Sequence, residues 1–90
     1  MIHGYRGNHH GLEAIVGGLG EYRVIVPDLP GFGQSPELGT LHNLDSYANW
    51  LDSFLDALGL SDSAHLVGHS FGTLVVGRYA SNRECNSIVL

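Results

Sequence analysis

A serine flanked by glycines, in the run Gly68-His69-Ser70-Phe71-Gly72, is where this chain is best equipped for chemistry. The apolar run Ala64-His65-Leu66-Val67 precedes it and Thr73-Leu74-Val75-Val76 follows, which reads as strand, sharp turn, helix. A serine on such a turn is forced into strained backbone geometry that lifts its hydroxyl clear of the sheet. Side chains at the two glycine positions would collide across the turn. The helix that follows brings its N-terminal N–H groups and the positive end of its dipole to the same place. A hydroxyl beside anion-stabilising donors is the start of a nucleophilic site.

Composition removes several other chemistries. The 90 residues carry a net charge of −5 and no lysine, and Arg6, Arg23, Arg78 and Arg83 are scattered. That argues against a nucleic-acid footprint and excludes both a phosphate-loop lysine and a Schiff-base lysine. Cys85 is the single cysteine, so no internal disulfide forms. No stretch is long enough to span a bilayer and no charged-then-apolar leader opens the chain, so a cytoplasmic protein is expected. At 43% hydrophobic the chain is globular in type, with room for one small domain.

Stepping along the chain gives the elements that must position Ser70. Met1-Ile2 reads as a strand end running into the turn His3-Gly4. Leu12, Ile15, Val16 and Leu19 share one face of a weak helix, with Gly20 as its stop. Tyr22 to Val26 reads as a strand buried on both faces, and residues 28–43 as a long loop rich in chain breakers. Leu44, Tyr47, Ala48, Leu51, Phe54, Leu55 and Leu58 form the stripe of a well-defined helix, with Asn43 as N-cap and Gly59 just past its end; Trp50 flanks the stripe. The helix from Phe71 to Ala80 is apolar almost all round and should be buried, and Ser87 to Leu90 is a last strand. The order β-α-β-α-β-α-β implies an α/β fold, a parallel sheet with flanking helices and a site at the carboxyl ends of its strands. The brief opening strand and the closing strand without a turn suggest a domain truncated at both ends.

Three segments together resemble the α/β-hydrolase family, in its serine-nucleophile branch. His3-Gly4-Tyr5 resembles the turn after that family's third strand. Asp28-Leu29-Pro30-Gly31-Phe32-Gly33-Gln34-Ser35 resembles the Asp-x-x-Gly-x-Gly-x-Ser loop after the fourth, and Gly68 to Gly72 the nucleophile elbow after the fifth. The resemblance covers residues 1–90 as the N-terminal and central portion of a single hydrolase domain, the third to sixth strands. It implies Ser70 as nucleophile and the backbone N–H groups of Phe71 and Tyr5 as oxyanion-hole donors. It groups His3, Gly4 and His69 at the substrate, His3 as a packed histidine orienting the oxyanion turn. The family's order is serine, then acid, then histidine. After Ser70 this chain holds only Glu84 as an acid and no histidine, so acid and base are expected beyond Leu90 and the 90 residues alone should be inactive.

The implied activity is acyl transfer on a small ester or related carbonyl substrate, as in a carboxylesterase. The alternatives are a non-catalytic hydrolase-like binding protein, a cofactor-free perhydrolase or haloperoxidase, and a C–C bond hydrolase on the same triad. No cofactor and no metal is expected. Gly31-Phe32-Gly33 lacks the third glycine of a dinucleotide loop, and neither His9-His10 nor the pair His65 and His69 has companion ligands at suitable spacing. Asp28, at a strand end before Pro30-Gly31, fits a loop-capping role.

Overall fold

The computed structural model describes residues 1–4, 7, 9–20, 22–39, 42–61, 63–81 and 87–89. Its helices are α1 (Glu13–Gly17), α2 (Leu44–Ala57) and α3 (Phe71–Ala80), with a 3-10 turn at His9–Leu12 leading into α1. Its strands are β1 (His65–Val67) and β2 (Ser87–Val89). They pair in parallel with Leu66 opposite Ile88, and Ile2 makes a parallel bridge to Gly68 on the other side of β1. The amide of Ile2 donates to Val67 O at 2.7 Å and that of His69 to Ile2 O at 3.0 Å. Beyond Ile2 lies the segment around Ile25, whose carbonyl accepts from the Met1 amino group at 2.8 Å. The lateral order is therefore residue 25, residues 1–2, β1, β2; Ile2 and β2 flank β1 in parallel, an α/β arrangement.

Residues 22–26, expected as a strand buried on both faces, form no strand, and they are not buried: Tyr22 is 72% exposed, Arg23 is exposed and Val24, Ile25 and Val26 are half-buried. A ladder needs a partner of matching length, and the segment beside it contributes Met1 and Ile2. The helix expected from Leu12 to Leu19 is also shorter. Gly17 and Gly18 cost it helical stability, and the Gly18 and Leu19 amides turn back three residues, to Ile15 and Val16 carbonyls. The expected stripe is broken as a result: Leu12 is buried, whereas Ile15 is 49% exposed.

α2 follows its sequence closely. Asn43 Oδ1 accepts from the Ser46 amide at 2.8 Å, and the Asn43 amide donates to Ser46 Oγ at 2.8 Å, a reciprocal capping box. Gly59 takes φ +71° just past the helix end. Tyr47, Ala48, Leu51 and Leu55 are buried, while Leu58 faces an open cleft and is 43% exposed. Trp50 stacks on Phe54 with ring centroids 5.0 Å apart.

The buried expectation for α3 holds on one side only. Gly72, Val75, Val76 and Tyr79 are buried against the sheet and α2, at the spacing of one helical face. Leu74 on the opposite side is 57% exposed. The core is thus a single layer of Ile2, Leu29, Leu51, Leu66, Val75 and Val76 and their neighbours between sheet and helices.

Candidate active site

Ser70 stands where β1 gives way to α3. Its backbone has φ +55° and ψ −117°, and among the described residues it alone has positive φ without being glycine. A side chain in that region costs of order 1–3 kcal/mol and persists only where the surroundings impose it. Here they do. The amides of Gly72 and Thr73 close onto the carbonyls of His69 and Ser70 at 2.9 and 3.0 Å, and Gly68 donates to Val89 O at 2.9 Å. The two glycines are required by approach distance. A Cβ on Gly68 would lie 2.5 Å from Gly72 O, and one on Gly72 would run into the carbonyl oxygen of Ile2. The Ser70 side chain makes no capping bond to α3, although a serine preceding a helix commonly does.

The turn after Ile2 reaches the same place from far away in sequence. A Cβ on Gly4 would fall 3.1 Å from Ser70 Cβ and 3.5 Å from Ser70 Oγ, so the Gly4 backbone lies against the serine side chain. Tyr5, expected to supply an amide here, lies outside the described residues, as do Glu84 and Cys85. Phe71 opens α3 and packs edge-on against Tyr47, with centroids 5.6 Å apart. The His69 side chain is exposed, and its amide and carbonyl are both used in the elbow.

His3, grouped at the substrate by the sequence, is 2% exposed. Its Nε2 accepts from the Leu29 amide at 2.9 Å and its Nδ1 bonds the Gly4 carbonyl at 2.8 Å. Both ring nitrogens are engaged within the protein, so the ring has none to offer a substrate. Phe32 packs edge-on to it at 5.6 Å. The loop that supplies Leu29 is itself tied down. Asp28 Oδ2 accepts from the Gln34 amide at 3.0 Å, Asp28 O accepts from Ser35 Oγ at 2.5 Å, and Gly33 at φ +52° sits directly on the Asp28 carboxylate. That is the loop-capping geometry anticipated for Asp28.

Two cavities flank these elements. One of about 300 Å³ is bordered by Phe71, Tyr47, Phe32, Glu37 and His42, adjacent to the elbow. The other, of about 680 Å³, is lined by Ile25, Leu51, Phe54, Leu58 and Leu66 on the side of the sheet covered by α2. Although larger, the second is apolar and borders none of the elbow residues, so it is a packing cleft rather than a reaction site. Among the described residues no helix is long and apolar enough to cross a membrane, and no group of three or more His, Cys, Asp or Glu could hold a metal ion. Contrary to the sequence expectation that no carboxylate shares the turn of His9 and His10, His10 Nδ1 meets Glu13 Oε1 at 2.5 Å. The pair is surface-exposed and far from Ser70 in sequence.

Residues 1–90 match the alpha/beta hydrolase fold family, and the chain belongs to it. It is 35% identical over its whole length to Lipase 3 of Moraxella sp. (strain TA144), of which it covers 30%. It is 33% identical over 90% of its length to Lipase 1 of Psychrobacter immobilis, covering 26% of that protein. Over 74% of its length it is 43% identical to a non-heme haloperoxidase of Rhodococcus erythropolis, covering 24%. The chain thus spans less than a third of the length of these relatives.

Proposed function

We propose that this chain is the N-terminal and central portion of a single serine-hydrolase domain acting by acyl transfer on an ester or related carbonyl compound. The observation that carries the reading is the strained Ser70 backbone at the strand-to-helix elbow, with the Gly4 turn packed on its side chain. Ser70 Oγ attacks the carbonyl carbon. The oxygen that becomes negative is held by the backbone N–H groups of Phe71 and Tyr5, reinforced by the N-terminus of α3. The hydroxyl proton passes to a histidine base paired with a carboxylate, both contributed by sequence beyond Leu90. Gly4 and His69 border the bound substrate. Without the base the 90 residues alone are inactive. The names of the two lipase relatives support an ester substrate.

The test is hydrolysis of activated p-nitrophenyl esters by the full-length protein. Ser70→Ala should abolish turnover; hydrolysis at the wild-type rate would overturn the assignment. The haloperoxidase relative favours one second reading, a cofactor-free perhydrolase on the same serine. Turnover that depends on both peroxide and a short carboxylic acid would select it.

A further inference from the structure

The buried side chain of Tyr47, near the start of α2, reaches two parts of the site at once. Its ring meets Phe71 edge-on, with centroids 5.6 Å apart and planes at 82°. Edge-to-face is a geometry in which two aromatic rings attract beyond what their burial alone provides. Phe71 is the first residue of α3 and directly follows the strained Ser70. Such a conformation persists only where its surroundings over-determine it. The Ile2 and His3 carbonyls abut Gly72, and Tyr47 holds Phe71 from α2. The far end of Tyr47 is polar. Its hydroxyl donates to the Pro30 carbonyl at 3.2 Å and lies 3.1 Å from His42 Nδ1. His42 Nε2 accepts from the Leu38 amide at 3.0 Å, so the proton of the neutral ring sits on Nδ1 and is donated to the Tyr47 oxygen. Pro30 and His42 border the cavity of about 300 Å³ beside the elbow. One side chain thus braces Phe71 with its ring and the cavity wall with its hydroxyl.

We propose that Tyr47 is a positioning residue with two separable duties. Its ring fixes the orientation of Phe71, and with it the elbow that presents Ser70 and the Phe71 amide. Its hydroxyl fixes the loop that walls the adjacent cavity. The proposal rests on the hydrolase reading and deepens it, since it assigns that cavity to the bound substrate. The first duty concerns the reacting atoms and belongs to kcat. The second concerns the walls that the substrate rests against and belongs to KM. A tyrosine that merely filled the core would change stability without separating the two constants.

Two substitutions in the full-length protein read the duties apart. Tyr47→Phe keeps the ring against Phe71 and removes the hydroxyl. On p-nitrophenyl butyrate it is expected to raise KM by about 3–10-fold with kcat within about twofold. Tyr47→Leu removes the ring as well. Its kcat is expected to fall by about tenfold or more, because a misplacement of about 1 Å at the reacting centre can cost about 10²-fold. Leu55→Ala is the control. Leu55 is buried on the same helix but lines the other, larger cleft, so the variant should lose thermal stability and keep both constants within about twofold of wild type. Equal kcat losses in Tyr47→Phe and Tyr47→Leu, an undiminished kcat in Tyr47→Leu, or a loss of the same size in Leu55→Ala would overturn the proposal. Phe71→Leu covers the case in which Tyr47→Leu does not fold. It breaks the same ring contact from the half-buried partner, and kcat should again fall by about tenfold; an undiminished kcat would overturn the proposal. If wild-type protein neither turns over the ester nor takes a fluorophosphonate on Ser70, the hydrolase reading itself fails and the proposal falls with it. If wild type does both and the variants do not separate kcat from KM, only the Tyr47 proposal falls.

Discussion

Gly72→Ala and Gly77→Ala place the same methyl group on the same helix and should change stability in opposite directions. Both positions lie in α3, where alanine is intrinsically favoured over glycine by about 1 kcal/mol. At Gly77 a Cβ meets nothing within 4 Å, so the full propensity gain should appear. At Gly72 the methyl would overlap the Ile2 carbonyl oxygen and lie 2.7 Å from Ile2 C and 2.8 Å from His3 O. All of these are backbone atoms, and no rotamer change can relieve them. The Ile2 strand end must move, which strains the bonds Ile2 N to Val67 O and His69 N to Ile2 O. Each is worth about 1 kcal/mol net, and crowding a packed core costs about 1–3 kcal/mol more. After subtracting the propensity gain, Gly72→Ala should destabilise by about 2–4 kcal/mol, whereas Gly77→Ala should stabilise by up to about 1 kcal/mol. Urea denaturation of the full-length protein, with slopes compared to confirm a common unfolding transition, reads both values. Equal shifts for the two variants, or a Gly72→Ala protein as stable as wild type, would refute the packing of α3 on the Ile2–His3 backbone.

Other outcomes follow from the same geometry. Asn43→Ala removes half of the capping box and should cost about 1 kcal/mol by the same denaturation measurement. Gly33→Ala would force a side chain into positive φ and onto the Asp28 carboxylate; it should lower thermal stability more than the neighbouring change Gln34→Ala, which keeps the backbone N–H that Asp28 uses. β2 is exposed along its length, with Val89 59% and Ile88 38% accessible, so the 90-residue chain should self-associate in sedimentation velocity as its concentration rises. In that same chain, burial lowers the pKa of the Met1 amino group below 8.0. The unfolded state then binds more protons than the folded one in the window just below pH 8, so stability should rise with pH through that window. N-terminal acetylation removes the titrating group and should flatten the rise.

The sequence announced the elbow because its requirements are local. Two glycines around a serine, between a strand pattern and a helix pattern, leave few other backbone solutions, and the structure has φ +55° at Ser70. The cap and stripe of α2 were legible for the same reason. The box partner of Asn43 was not, because Ser46 stands where the common pattern has Glu or Gln. What escaped depended on neighbours. Residues 22–26 have strand composition, but pairing is a property of two segments, and the adjacent one is Met1-Ile2. The apolar sequence of α3 did not say which side would be covered, and Leu74 shows that one side is not. His3 could be placed near the oxyanion turn from its motif. Its bond to Leu29, 26 residues away, and the tautomer that bond dictates required coordinates.

The most direct test of the central claim is the site of covalent capture by a fluorophosphonate. Such a probe mimics the tetrahedral intermediate and needs an activated serine together with its oxyanion donors. Full-length protein treated with the probe, digested and mapped by mass spectrometry should carry the adduct on the peptide containing Ser70, and Ser70→Ala should carry none. An adduct mapped to a different residue, or an active esterase that stays unlabelled at Ser70, would contradict the account.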